Sequence, residues 1–498
     1  MARKSVICAM KSSAIVIGAG IGGIATAIRL ACKGYEVSVY DRNAYTGGKL
    51  TEIKAGAYRF DAGPSLFTLP DQVDELFRLA GENPRDHFNY ERLSDTCHYF
   101  WDDGTFLPAS GDPDKFAQQV EEILSVPASR ISNYLKKGAF IYNTTAPVFL
   151  DQSLHKWQNF INWKTLRGVV SMPWLGIFSK LHSDNVKQTG DPKLTQLFDR
   201  YATYNGSDPF RAPGVLQSIP HLEFNTGAWY PVGGMHAISQ SLTELAKRIG
   251  VRFYLSQAVD RIVVENKVAV GIEVNGNLIK ADQIICNADV FPAYRNLLKD
   301  QPAPEKTLSQ ERSSSALIFY WGIKKQFAEL DMHNIFFSND YKEEFRLLFE
   351  GKTVSDDPTV YVNLTTKYQP NDAPEGCSNW FVMINVPGNT GQDWDTIIRR
   401  SRENILKKLS KNLKTSIADL IECEQILDPR TIESRTGSHQ GSLYGSSSNS
   451  RDAAFLRHPN FSQKIKHLWF CGGSVHPGGG IPLCLKSAKI IGEMVEKG

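Results

Sequence analysis

No stretch of about 18 consecutive apolar residues occurs in this 498-residue chain, so a membrane-spanning helix is not expected. An excess of one charge is also lacking. Lys and Arg number 56 against 53 Asp and Glu, and the resulting +3 is too small to indicate a nucleic-acid partner. The eight cysteines (Cys8, Cys32, Cys97, Cys286, Cys377, Cys423, Cys471 and Cys484) include no CxxC pair, which argues against a zinc site or a disulfide framework. No metal is expected, and reduced thiols in a cytoplasmic protein are the simplest reading. An internal repeat is missing as well. Residues 1–10 carry two basic residues and a short apolar run, as a signal peptide would. The next apolar run is needed as a strand, however, so cleavage near it would damage the fold. The sequons at Asn143, Asn205, Asn363 and Asn460 are therefore read as coincidental.

What is present is organised around Ala14 to Lys49. Ala14 to Ile17 suits a buried parallel strand, and Ile24, Ile28 and Ala31 follow at the spacing of one helical face. Between them, Gly18 allows a tight turn, Gly20 lets the backbone approach a pyrophosphate, and Gly23 lets helix and strand pack closely, with Gly22 inside the same motif. The helix N-terminus offers free amides to phosphate. Asp41 follows at the end of the second strand, where a carboxylate can accept hydrogen bonds from ribose hydroxyls. Gly47-Gly48 with basic Lys49 is similar to the extended FAD motif of glutathione-reductase-like flavoproteins, in which a basic residue lies near the diphosphate. The expected cofactor is non-covalent FAD.

Further along, Tyr58 to Ser65 reads as a strand ending in a Gly-Pro turn, or as an ordinary loop. From about residue 90 to 220 periodicity weakens, and a second, mostly helical domain is expected. Within it, residues 152–182 hold Trp157, Trp163 and Trp174 with Lys156, Lys164, Arg167 and Lys180 and no intervening acid up to Lys180. Such a segment can lie in a membrane interface or pack as a helix pair on the core. Nucleotide-domain patterning returns at Trp229 to Gly234, in the helical face of Ile238, Leu242, Leu245 and Ile249, in the hairpin signal Asn275-Gly276, and in Ile284 to Asp289. Ala316–Trp321, Thr359–Leu364 and Trp380–Val386 are strand candidates, for a substrate cavity wall or a plain core. Gly441 to Ser450 is by composition a flexible loop. Last, Leu468 to Pro482 joins a strand to a terminal helix through Gly472, Gly473 and Gly478 to Gly480, and Gly480, Ile481 and Pro482 open that helix. Its free amides would stabilise negative charge on a reduced flavin.

Taken together, these residues resemble the carotenoid desaturases of the bacterial phytoene-desaturase type, within the amine-oxidase-like flavoproteins. The resemblance runs over essentially the whole chain and is carried by Gly18 to Lys49, Arg59 to Pro64, Tyr230 to Gly234, Asn287 to Asp289 and Gly473 to Pro482. It implies an α/β fold, with a split Rossmann-like FAD-binding domain (1–90, 225–299 and 426–498) and a discontinuous substrate domain of mixed sheet and helices (91–224 and 300–425). It places Pro64, Ser65, Asn287 and the backbone of Val259 at the cofactor. Asp41 stands where Glu is commoner, Lys49 where Arg is commoner, and Arg457-His-Pro-Asn460 departs from the usual order.

Tyr201 to Gly206, Ala212-Pro213 and His221 to Glu223 look most like one subgroup, the 1-hydroxycarotenoid 3,4-desaturases. The implied reaction inserts a carbon-carbon double bond into a hydroxylated acyclic carotenoid end, at the membrane surface, with oxygen or a quinone as electron acceptor. Phytoene desaturation, flavin-dependent isomerisation or saturation, and a non-catalytic prenyl-binding escort are the alternatives. No His, Asp or Glu stands out as a catalytic base.

Overall fold

The strand Ser13–Ile17, buried beyond its first residue, lies at the centre of a five-stranded parallel sheet. The order across the sheet is Leu468–Phe470, Gln283–Cys286, Ser13–Ile17, Glu36–Tyr40 and Arg252–Tyr254. Neighbouring strands in this computed structural model, which describes residues 12–156, 175–450 and 456–498, thus come from widely separated parts of the chain. Helix Ile21–Cys32 follows the first strand, and packs between helix His236–Arg248 and the terminal helix Ile481–Met494. Ile24, Ile28, Leu242, Leu245, Leu485 and Ile491 close one core there. Each such side chain contributes about 1.5–3 kcal/mol on burial. The hairpin expected at Asn275-Gly276 joins Val268–Val274 to Asn277–Lys280, with positive φ at both residues, as a type I′ turn requires.

A second, seven-stranded sheet faces the first unit. Its order is Ile421–Leu427, Ser315–Ile323, Ser378–Val386, Val360–Leu364, His333–Phe336, Asp95–Phe100 and Phe106–Ser110, antiparallel except between the fifth and sixth strands. Residues 90–220 are therefore not only helical: two strands from this stretch form one edge of the sheet. Asp95–Phe100 is buried at every position after its first, so it shows no alternation for a sequence pattern to reveal. The hairpin of Glu52–Ala55 and Tyr58–Asp61 packs against Ser378–Val386, and Tyr320 donates to the carbonyl of Ala62 at 2.8 Å.

Gly441 to Ser450 departs from the expectation of flexibility. Ser442, Ser446, Ser447, Ser448 and Asn449 are buried, and their small side chains let the segment run through the interior. It is held by Leu443 N to Ser314 O (3.2 Å), Ser447 N to Glu311 O (2.8 Å) and Asn449 Nδ2 to Glu311 Oε2 (2.7 Å). Composition signals a loop, but here the polar groups find partners inside the protein.

Candidate functional site

The two ends of the chain meet over Asn287, at the end of strand Gln283–Cys286. Its side chain lies between the first glycine motif and the terminal one. A Cβ on Gly20 would lie 2.8 Å from Asn287 Oδ1, and one on Gly472 2.6 Å from Asn287 Nδ2. Gly23 is tighter still: its Cβ would fall 2.1 Å from the carbonyl of Gly18, so helix and strand approach as closely as the motif predicts. Gly48 rests on Gly20, and Gly20 and Gly47 form a parallel bridge.

Asp41 stands beside this cradle. One carboxylate oxygen accepts from Ala19 N at 2.7 Å and the other from Asn43 N at 2.8 Å. These bonds orient the carboxylate and leave each oxygen a lone pair for a ribose hydroxyl. The turn after Tyr254 hangs on the same loop, through Gln257 N to Asp41 O (2.8 Å) and Ser256 N to Asn43 O (2.9 Å). Val259, two residues beyond, packs partly buried against the cluster that holds Ile17, Tyr40 and Ile262.

Gly18, Gly20, Asp41, Gly48, Lys49, Pro64, Ser65, Val259, Asn287, Gly473, Gly480 and Pro482 are all half-buried, whereas Gly22, Gly23 and Ile481 are buried beneath them. The motifs thus keep partial access to a ligand. Lys49 Nζ donates to Ser442 O (3.0 Å) and Leu443 O (2.9 Å). Among the described residues it has no carboxylate partner, and burial pushes its ammonium down to about 8 despite the nearby Asp289. Arg457 is similar: buried, donating to Tyr444 O at 2.9 Å and pushed down by burial to about 10. Arg312, by contrast, is paired with Asp289. Lys49, half-buried, and Arg457, buried, have no carboxylate partner among the described residues, which fits a bound diphosphate and an electron-rich flavin ring. FAD, if held here by Lys49 and Arg457, would supply hydride acceptance.

The other motifs have structural partners. Asp61 accepts from Tyr230 Oη (3.1 Å), Met235 N (3.0 Å) and Arg59 (2.9 Å), which binds Arg59 to Pro64 and Tyr230 to Gly234 into one hub. Asn460 donates to His476 O (2.7 Å) and Ser487 Oγ (3.0 Å), so the reordered Arg457-His-Pro-Asn460 still anchors the terminal motif.

Tyr201 to Gly206 and His221 to Glu223 are brought together by Arg200. Its guanidinium donates to Tyr99 Oη (2.7 Å) and Tyr204 Oη (3.1 Å), and lies 3.5 Å from Glu223. Its carbon centre is 4.5 Å from the ring centre of Tyr201. Arg200, Tyr99, His333 and Tyr361 were not singled out from the sequence. The spacing of Arg200, Tyr201 and Tyr204 on one turn was available as a signal, whereas the strand pairing that aligns His333 with Asn363 was not.

Trp157, Trp163, Trp174, Lys164 and Arg167 lie outside the described residues. The residues just before them are tied to the terminal motif: His476 Nε2 meets Gln152 O at 2.9 Å, Lys486 pairs with Asp151, and Lys156 Nζ stands 5.9 Å from the ring centre of Phe461. No helix among the described residues is long and apolar enough to cross a membrane.

A parallel sheet with glycine-rich turns near both ends of the sequence, set beside a second, larger sheet, is the arrangement of an FAD-dependent oxidoreductase. The chain belongs to the family of flavin containing amine oxidoreductases, whose model matches residues 21–491, and stands within it among the carotenoid desaturases. It is 51% identical over 482 residues to a 1-hydroxycarotenoid 3,4-desaturase of Flavobacterium sp. (strain P99-3), covering 97% of this chain and 98% of that one. A phytoene desaturase of Phycomyces blakesleeanus is 31% identical, over 97% of this chain and 84% of its own. Among solved structures, an oxidoreductase from Methanosarcina mazei superposes with a TM-score of 0.64 at 16% identity, over 97% of this chain and 99% of that one. A putrescine oxidase variant gives 0.63 at 12% identity, over 97% and 98%. These two likenesses concern the fold.

Proposed function

We propose that the protein is an FAD-dependent desaturase that introduces the 3,4 double bond into a 1-hydroxylated acyclic carotenoid end. The observation that carries this reading is 51% identity along nearly the full length of both chains to a protein of that activity. The site supports it: the motifs border a sheet rich in aromatic and aliphatic side chains, and two of the subgroup-like motifs, Tyr201 to Gly206 and His221 to Glu223, meet in one buried polar cluster around Arg200. Gly18, Gly20, Gly22, Gly23, Gly48 and Lys49 would hold the diphosphate, Asp41 the ribose, and the backbone of Val259 the adenine. Pro64, Ser65, Asn287, Gly473 and Gly480 to Pro482 would surround the flavin. The proposed cofactor domain comprises residues 1–90, 225–299 and 426–498, and the proposed substrate domain residues 91–224 and 300–425.

The chain's own contribution is alignment of the reacting C–H bond and exclusion of water, since the conjugated system disperses positive charge at the oxidised carbon. Loading from a bilayer avoids passage of the polyene through water, which costs about 0.8 kcal/mol for each exposed CH₂. The basic, Trp-rich residues 152–182 are the proposed docking segment of a cytoplasmic, peripheral protein, and oxygen or a quinone the proposed electron acceptor. The test is chromatography of products from the purified FAD-loaded protein given 1-hydroxylated acyclic carotenoids and phytoene in liposomes. A product two hydrogens lighter from the hydroxylated substrates is expected. Turnover of phytoene alone would refute the assignment.

A further inference from the structure

We propose that Ser65, Tyr361 and His333 form a directed proton relay that removes the proton released as the substrate's carbon-carbon bond is oxidised; the reacting bond is taken from the desaturase reading above. Ser65 Oγ lies 2.8 Å from Tyr361 Oη, which lies 2.7 Å from His333 Nδ1. Hydrogen bonding fixes the direction of this chain. Asn363 Nδ2 donates to the carbonyl of Met332 at 2.9 Å, which settles which end of its amide is nitrogen. The same nitrogen lies 3.2 Å from His333 Nδ1, so Nδ1 must be the acceptor and the imidazole hydrogen sits on Nε2. Tyr361 then donates to His333, and Ser65 donates to Tyr361. Protons run from Ser65 inward, and the lone pairs of Ser65 are the open end.

Position supports the same role. Tyr361, Ile335 and Tyr99 are register partners across three adjacent strands and so share one sheet face. That face meets the Ala62 to Ser65 segment, which joins the sheet to Lys49: a Cβ on Gly63 would fall 1.8 Å from the Lys49 carbonyl. Tyr361 and Ser65 keep partial exposure although Val360–Leu364 is an interior strand, whereas His333 is buried. His333 Nε2, the hydrogen-bearing nitrogen, is buried and has no partner among the described residues. A structural imidazole would be expected to satisfy both nitrogens.

The step balances. A hydride leaves one carbon with two electrons, which the flavin accepts. The neighbouring carbon loses a proton to Ser65 Oγ while Ser65's own proton passes to Tyr361 and Tyr361's to His333 Nδ1. Arg200 and Asp331 act on His333 with opposite signs, and Arg200, Glu223 and Cys97 act on Tyr361. Burial dominates and pushes His333 down to about 4, so it is neutral at rest, and after the reaction it returns the proton through Tyr361 and Ser65, the half-buried end of the chain, to water. A base this weak suffices against a carbon acid beside a polyene cation.

The test uses the FAD-loaded protein labelled with ¹⁵N-histidine, with the His333 signals assigned from His333→Gln and from their shift in Tyr361→Phe. Native His333 is expected to be neutral at pH 7 with its hydrogen on Nε2. Tyr361→Phe, which keeps the ring, is expected to bind FAD fully yet slow anaerobic flavin reduction by the carotenoid about 100-fold. It should also abolish the native solvent deuterium effect on that step. A hydrogen on Nδ1, or native-rate flavin reduction in Tyr361→Phe, would overturn the relay. Failure of every carotenoid to reduce the native flavin would instead sink the desaturase reading, and is seen without any variant.

Discussion

FAD affinity should fall as the solution is made alkaline, because Lys49 must carry its charge to meet the diphosphate. In the FAD-free protein its ammonium is held at about 8, against an ordinary value of 10.5, chiefly by burial. The sign follows from linkage. A lysine whose value is depressed in the folded apoprotein leaves the unfolded chain holding more protons between pH 8 and 10.5, so apoprotein stability rises with pH across that window. Binding of an anion reverses this by restoring the proton. Recovery from 8 to 10.5 corresponds to about 3 kcal/mol, at about 1.4 kcal/mol for each tenfold. Affinity should therefore be level below pH 8 and decline by up to about 300-fold as pH approaches 10.5. Lys49→Met should bind FAD about 300-fold more weakly at pH 7 and lose this decline. Fluorescence titration of apoprotein with FAD, for both proteins at several pH values, measures it. A native affinity that stays level from pH 8 to 10, or a decline shared equally by Lys49→Met, would refute the reasoning.

Three further variants test the packing. Gly20→Val places its Cβ 2.8 Å from Asn287 Oδ1, and should yield a protein that purifies without the absorption of bound flavin. Glu223→Leu removes the acid beside Arg200, both nearly buried, and should cost about 3–5 kcal/mol in urea unfolding, whereas Tyr201→Phe removes a buried hydroxyl with no partner among the described residues and should cost nothing.

The elements legible in sequence are those whose signal is local. The turn at Gly18 to Gly23, the helix faces of Ile24 and Ile238, and the Asn275-Gly276 hairpin each depend on residues within a few positions. Their convergence on one cradle could be inferred from the family resemblance, and Asn287 shows why the spacing matters: it needs glycine on both sides. The hidden features are those that arise from pairing. Asp95–Phe100 lacks alternation because it is covered on both faces, and the burial of Ser442 to Asn449 depends on partners at Ser207, Glu311 and Ser314. His333 carries no local signal, and its role rests on alignment with Asn363, thirty residues on.

The central parallel sheet takes one edge strand from Leu468–Phe470, and the helix that follows covers Ile21–Cys32. The cradle begun at Gly18 is thus completed only by Leu468–Phe470 and Ile481–Met494, far along the chain from it. A growing chain can form its first strand and helix early, but the cradle stays open on one side until Ile481–Met494 has been made and has docked. A fragment that stops short of Leu468 should therefore fail to retain FAD, as flavin absorption of the purified fragment would show.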